Sequence, residues 1–196
     1  MTKAEQTRQY IIERTAPVFN AKGFAGTSLT DLTEATGLTK GSIYGNFSNK
    51  EEVALAVFDY NFAQITEYLR VKIQAEQNSI DRLLVYPRVY RNFLSIPFLQ
   101  TGCPILNTSI EADDTHPELK QKAAEAIAFW KKSLENQIKR GIEKGEIKGT
   151  THIVELSVLI ISIIEGAVMQ AKVTNRATEL RIAMDYLEKI ITACRA

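Results

Sequence analysis

Residues 23–52 read GFAGTSLTDLTEATGLTKGSIYGNFSNKEE, and this stretch decides how the whole chain is read. Gly23 and Gly37 each stand where a helical run stops. Ser28 is followed three residues later by Asp31, an acceptor pair that opens a short helix over about Leu29–Thr36. Gly37-Leu38 makes a tight turn, and Thr39 caps a third helix. Ser48 and Glu51 form a further capping box that opens a long helix. Short helices on either side of a tight turn make a helix-turn-helix, a unit that lays its last helix in the major groove with that helix's N-terminal residues at the base edges.

The residue types in the turn and third helix suit that task. Lys40 can reach a phosphate or a guanine, and Gly41 lets the backbone come close to DNA. Ser42 can donate or accept at a base. Tyr44 can give its hydroxyl to a phosphate, and Asn46 can bond phosphate or base. Lys50 lies past the helix, where a backbone contact is expected. Thr27, Ser28 and Thr39 can bond phosphates while they or their neighbours cap helices. Ile43 and Phe47 point inward and hold the short helix to the other two. The competing reading of the same turn is plain packing, with Tyr44 as a half-buried core residue.

Upstream, a helix runs over about Ala4–Lys22, opened by a Thr2–Glu5 capping box, with Ile12, Ala16 and Phe19 on its apolar stripe and Pro17 inside it. Downstream, helical spacing continues to the end. The long helix after Ser48 carries Leu55, Phe58, Phe62, Ile65, Leu69 and Ile73 on one face. A fifth helix holds Ile80, Leu84, Tyr90 and Phe93, interrupted at Pro87. Gly102 and Pro104 break the pattern around Cys103, and a short helix covers Ile105–Ala112. Thr115, Pro117 and Glu118 give the start signal of the next helix, which carries Leu119, Ala123, Ile127, Trp130, Leu134 and Ile138. Ile153–Ala171 is apolar almost all round, so it is expected to be buried on several sides. The last helix shows a seam of Leu180, Met184, Leu187, Ile191 and Cys194. The expected fold is all-α with about nine helices, divided near residue 48: a helix-turn-helix domain over 1–48, then a larger helical domain over 49–196.

The run Gly23-Phe24, Thr27-Ser28, Leu32, Ala35, Gly37-Leu38, Thr39-Lys40-Gly41-Ser42-Ile43-Tyr44, Phe47, Asn49-Lys50-Glu51-Glu52 resembles the DNA-binding segment of the TetR family of bacterial repressors. It covers about a quarter of the chain; the rest is similar in layout only. Where the family often has an aromatic or histidine, this chain has Gly45, which lowers helix propensity by about 1 kcal/mol relative to Ala. The resemblance implies a regulator, most simply a repressor, released from a palindromic operator by a small molecule. It also makes the second domain a ligand-binding and dimerisation domain. The implied pocket lies among the middle helices, with Phe62, Tyr86, Tyr90, Phe93, Cys103, Asn107, Phe129 and Trp130 as lining residues, aromatic walls with a few polar groups. Aromatics at helical spacing are equally what a core needs. The run Gly102-Cys103 resembles a subset of the family, some of whose members sense electrophiles or oxidants through cysteine, which makes modification of Cys103 a second release route; a small buried residue in a tight loop is the alternative.

Two apolar C-terminal helices, with Gly166 and Ala167 permitting close approach, are expected to pair with their copies in a homodimer. A helix pair buried within one chain gives the same pattern. Glu111, Asp113, Asp114 and His116 read as a solvated loop rather than a metal site, and His152 as a helix-start residue.

Composition limits the other classes. No uninterrupted apolar run reaches about 18 residues, and the polar stretch from Met1 to Arg14 lacks the pattern of a secretion signal, so a cytoplasmic protein with no membrane partner is expected. Two cysteines, Cys103 and Cys194, make no disulfide framework and no Cys-x-x-Cys pair. No cofactor is expected. The motifs Gly-x-Ser-x-Gly, the P-loop, the Rossmann glycines and His-Glu-x-x-His are missing, which argues against an enzyme. Net charge is +1, and residues 1–50 carry six basic groups against four acidic ones, a weak electrostatic footprint. A transcriptional activator of the same fold and a helical protein-binding adaptor remain as alternatives.

Overall fold

The computed structural model describes residues 2–196. Its helices run α1 (Lys3–Gly26), α2 (Leu29–Thr36), α3 (Lys40–Tyr44), α4 (Lys50–Ala75), α5 (Ser79–Tyr90), α6 (Pro104–Ala112), α7 (Pro117–Glu143), α8 (Ile153–Thr174) and α9 (Ala177–Ala193). Two short 3-10 turns, Phe93–Ser95 and Pro97–Leu99, follow α5. Among the described residues there is no strand, only an isolated bridge between Ile147 and Arg195. The all-α expectation and the nine helices hold.

Helix ends follow capping chemistry, with several departures from the sequence reading; α5, for one, ends at Tyr90, and Phe93 falls in the 3-10 turn that follows. The Thr2–Glu5 and Ser28–Asp31 boxes both form. α1 continues past Lys22 to Gly26, but Gly23 has φ 73° and ψ −179°, so the helical path breaks there before one further turn. The cap of α4 is Asn49, whose Oδ1 accepts from the Glu52 N–H at 2.8 Å; the Ser48 N–H in turn donates to Glu52 Oε2 at 2.7 Å. That arrangement lies one residue beyond the expected Ser48–Glu51 pair, because the asparagine amide oxygen is as good an acceptor as a serine hydroxyl. His116, not Thr115, caps α7: its Nδ1 accepts from the Leu119 N–H at 3.3 Å, while the Thr115 hydroxyl donates back to the Glu111 carbonyl.

The chain forms two compact units. The first takes in residues up to Gln64 together with Thr101–Glu125, and the second takes in Ile65–Gln100 and Ala126–Ala196. The core of the first is Ile11, Ala16, Phe19, Leu32, Ile43, Phe47, Val53, Ala54 and Val57, with Ile12 and Tyr44 partly buried against it. Ile11, rather than the expected Ile12, takes the fully buried place on α1.

In the second unit α8 packs on α9, and α5 packs on both. Trp130, Leu134 and Ile138 of α7 are buried as expected, but Ile127 is exposed and Ala126 takes the inner position. The seam Leu180, Met184, Leu187 and Ile191 is wholly buried within the chain. It therefore serves the packing of α9 on α5 and α8, the second of the two readings the pattern allowed. α8 has a window of mean hydropathy 1.9 and is long and apolar enough to cross a membrane by length and composition. Ser162 and Glu165 interrupt its apolar run, yet the helix as a whole passes that test. In the fold, Leu156, Ile160, Ile164, Ala167, Val168 and Ala171 form its buried side.

Candidate nucleic-acid interface

The first unit is assembled around α2, the turn and α3. Gly37 sits at φ 68°, the left-handed conformation that ends α2 and that glycine adopts without steric cost, and its N–H donates to the Thr33 carbonyl at 2.8 Å. The Thr36 hydroxyl accepts from the Leu38 N–H, which fixes the turn. Thr39 Oγ1 then accepts from the Ser42 N–H at 3.2 Å and starts α3. Ile43 and Phe47 are buried and anchor α3 to Leu32 and Ile11, as their spacing predicts.

α1 holds the end of α2 in place. The last carbonyls of a helix have no partner within it, and here Tyr10 Oη donates to the Thr36 carbonyl at 2.9 Å and Arg14 Nε to the Ala35 carbonyl at 3.0 Å. Arg8 lies 3.9 Å from the Phe47 ring centroid, donates to the Asn46 carbonyl at 2.5 Å and pairs with Glu52 at 2.7 Å. Lys22 pairs with Asp31 at 2.5 Å. The Lys22 ammonium, followed by the Ser28 bonds, holds the Asp31 carboxyl down at about 2. None of these α1 roles was legible beforehand, since they join residues up to 44 positions apart in sequence.

The expected DNA contacts divide by geometry. Ser28, Thr39, Lys40, Gly41 and Ser42 are exposed around the start of α2 and α3. Tyr44 is half-buried against the core, and the Asn46 amide donates to the Ser42 carbonyl at 2.9 Å, closing the end of α3. Thr27 and Lys50 are placed otherwise. Thr27 is 1% exposed and its hydroxyl donates to the Gly23 carbonyl at 2.6 Å. The Lys50 ammonium donates to the carbonyls of Phe24 and Thr27, at 2.8 and 2.9 Å, and lies 4.3 Å from the Phe24 ring centroid. Both side chains are bonded to the turn between α1 and α2; the Phe24 and Thr27 carbonyls take two of the three N–H donors of the Lys50 ammonium.

That turn is gripped from a second side. Glu111, on α6, accepts from the N–H groups of Phe24 at 2.8 Å and Ala25 at 2.7 Å. The break at Gly23 exposes these two donors. A Cβ at Gly23 would stand 2.3 Å from Glu111 Oε2, so the glycine also makes room for the carboxylate. His116 packs edge-on against Phe24 at 4.6 Å, and its Nε2 lies 3.3 Å from Glu51 Oε1. Asn20 donates to Thr101 Oγ1 at 2.7 Å and to the Gly102 carbonyl at 2.9 Å, and Asn107 donates back to the Asn20 carbonyl at 3.0 Å. The loop before α6, α6 itself and the start of α7 are thus bonded to the end of α1 within one compact unit. Glu111 and His116 are part of this clasp, although the sequence places them in a solvated loop.

Glu51, His116 and Glu118 come close enough to suggest a cation. Glu51 faces Nε2 of the ring and Glu118 faces Nδ1, which already accepts from Leu119, so the two carboxylates do not converge through one imidazole nitrogen.

The expected pocket residues do not share one environment. In the second unit Tyr86, Tyr90, Phe93 and Trp130 are all buried and stack in series: Phe93–Tyr90 at 5.1 Å, Tyr90–Trp130 at 5.9 Å, Trp130–Tyr86 at 6.3 Å between centroids. Phe129 is 54% exposed. Phe62 and Asn107, in the first unit, are half-buried. Cys103 occupies the N-cap position of α6 and is wholly buried.

Comparison with known proteins agrees with this architecture. Residues 11–57 match the model for bacterial regulatory proteins of the tetR family, and residues 79–187 match that for the tetracyclin repressor-like C-terminal domain. A TetR family transcriptional regulator from Cytophaga hutchinsonii has a similar structure, with TM-score 0.92 and 46% identity, over 100% of this chain and 98% of that one. The probable HTH-type transcriptional regulator ArpR of Pseudomonas putida is 24% identical over 85% of this chain and 80% of its own length. The fold also matches that of CifR, a TetR family regulator, in a structure of a cysteine double variant with 26-base-pair operator DNA, at TM-score 0.82, 19% identity and coverage of 96% of both chains. With its capped helix-turn-helix and helical C-terminal domain, the chain belongs to the TetR family and is a DNA-binding transcriptional regulator.

Proposed function

We propose that the protein is a homodimeric repressor that binds a palindromic operator and leaves it when a small molecule enters the domain formed by residues 49–196. The observation that carries the reading is the exposed start of α3, where Lys40, Gly41 and Ser42 face solvent from a helix pinned by Thr39, Ile43 and Phe47. Ser28, Thr39, Tyr44 and Asn46 surround it as further contacts. Such a unit reads half a site, and a two-fold dimer reads two half-sites about 34–36 Å apart. A DNA operator as partner supports a cytoplasmic location.

The dimer rests on a face the chain leaves uncovered. Val154 and Val158, and further along α8 Met169 and Val173, are exposed as two pairs four residues apart, with Gly166 between the pairs and open space where its Cβ would stand. Ile182 and Tyr186 of α9 are exposed as well. Apolar stripes of this length on a monomer mark an association surface. The burial of Cys103 favours ligand entry over thiol modification as the release signal, since reactive thiols are partly exposed.

Selection of bound sequences from random DNA, repeated with a chemically mixed set of small molecules, tests the whole reading. The expected result is a palindrome whose binding weakens with salt and is lost with one class of compound. A non-palindromic product, or none, overturns it. Activation instead of repression is decided by where the operator lies relative to the promoter.

A further inference from the structure

Among the described residues of the second unit, two buried atoms of neutral side chains have no hydrogen-bond partner: the indole N–H of Trp130 and the amide oxygen of Gln137. Buried polar groups are nearly always bonded, so an orphaned donor and an orphaned acceptor on one structure call for an explanation. They lie on one helix, seven residues apart, which is about 10.5 Å of axial rise. Tyr86 shows that they share a face. Its ring stacks on Trp130, 26° from parallel, and its hydroxyl accepts from Gln137 Nε2 at 3.0 Å. Ser133 lies between them, within reach of the same Gln137 amide.

The surroundings narrow the chemistry. Tyr90 and Phe93 continue the series with planes 13° and 9° apart, so the wall is a set of nearly parallel π faces. A flat aromatic guest extends such a series in offset stacking. None of Tyr86, Tyr90, Phe93, Trp130, Ser133 or Gln137 carries a formal charge. Burial pushes the Tyr86 phenol up, which keeps it neutral. A charged guest buried among these groups would lack the partner that it needs.

We propose that the effector is a neutral, flat aromatic carbonyl compound bearing a hydroxyl about two helical turns from the carbonyl, its carbonyl oxygen accepting from Trp130 Nε1 and its hydroxyl donating to Gln137 Oε1. This rests on the ligand-release reading above and names the chemistry of its pocket.

Methyl 6-hydroxy-2-naphthoate is a suitable probe, with 2,6-dimethylnaphthalene as its apolar counterpart and 6-hydroxy-2-naphthoate as the charged one. Titration calorimetry on the full chain gives the affinities, and operator binding is followed in parallel. The ester should bind at least about tenfold more tightly than the hydrocarbon, the equivalent of one buried hydrogen bond at 1.4 kcal/mol per decade, and should weaken operator binding. Trp130→Phe keeps an aromatic ring and removes the N–H; it should lose about that tenfold for the ester and leave the hydrocarbon unchanged. Gln137→Leu, a second and independent variant, should lose ester affinity in the same way. Equal affinity for ester and hydrocarbon, tighter binding of the carboxylate, or no loss in either variant overturns the proposal. If none of the three probes binds while a compound of other chemistry releases the operator, this ligand class falls and the ligand-release reading stands. If no compound in a chemically mixed set alters operator affinity, that reading itself falls.

Discussion

Replacing Gly23 with alanine tests the clasp between α1 and α6, because two separate costs meet at that position. The first is conformational. At φ 73° and ψ −179°, Gly23 occupies a region that is essentially reserved for glycine, and a side chain there costs on the order of 1–3 kcal/mol. The second is steric. The new Cβ would lie 2.3 Å from Glu111 Oε2 and 2.6 Å from its Cδ, so the carboxylate must leave. Its departure breaks bonds to the N–H groups of Phe24 and Ala25. Hydrogen bonds to a charged group contribute about 1.5–3 kcal/mol each, but Ala25 is exposed and water replaces its share. The sum is about 3–5 kcal/mol for Gly23→Ala in the native background. In a Glu111→Ala background the steric part vanishes and the same substitution should cost only about 1–3 kcal/mol. Thermal and urea unfolding of the four proteins of this cycle, followed by circular dichroism, measures the difference as a coupling energy. An equal penalty in both backgrounds would show that Glu111 does not hold the turn, and a penalty under about 0.5 kcal/mol, the scatter of ordinary surface changes, would remove the conformational argument too.

Other outcomes follow from the same geometry. Lys40→Ala should weaken operator binding and reduce the slope of log affinity against log salt by about one, as expected for one lost phosphate contact; fluorescence anisotropy at several salt concentrations reads both. Lys50→Met should instead destabilise the fold by about 2–4 kcal/mol through its two carbonyl bonds, with the salt slope unchanged when measured on the folded fraction. The Asp31 carboxyl titrates at about 2 in the folded chain against 3.8 ordinarily, so its stabilising effect is complete above about pH 4 and fades as pH falls toward 2. Asp31→Asn should accordingly be less stable than the native chain at neutral pH, and the gap in melting temperature should close across that acid window. Met169→Lys, on the uncovered stripe of α8, should turn the dimer into a monomer at micromolar concentration in sedimentation velocity, while leaving the helical signal intact.

The parts of this molecule that were legible in the sequence are those set by local chemistry. Ser28–Asp31, Gly37 and Thr39 delimit α2 and α3 because a cap acts within four residues. The inward positions of Ile43 and Phe47 follow from helical spacing alone. Asn49 and His116 escaped notice as caps because Ser48 and Thr115 stand beside them with equal claim to the role. The internal bonds of Thr27 and Lys50 were not legible, since a basic or hydroxyl residue near DNA looks the same in sequence whether it faces solvent or a carbonyl. Glu111 offered only one signal, its position on α6 of a chain whose α1 is interrupted by Gly23, and pairing the two needs the fold. The α9 seam was visible as a pattern, but periodicity does not say whether its partner is α5 and α8 or a second chain.

The separation of roles within α3 bears on how operator preference can change over evolutionary time. Lys40 and Ser42 look outward, and among the described residues no ion pair ties Lys40 to the scaffold. Exchanges at such positions generally stay within about 0.5 kcal/mol of neutral for folding. Ile43 and Phe47, one and five residues beyond Ser42, are buried, where loss of a large side chain costs about 2–5 kcal/mol. Mutational drift is therefore nearly free on the outward face and heavily constrained on the inward one. After gene duplication, a copy of this chain could acquire a new set of target promoters through a few outward substitutions while its folding stability stayed intact.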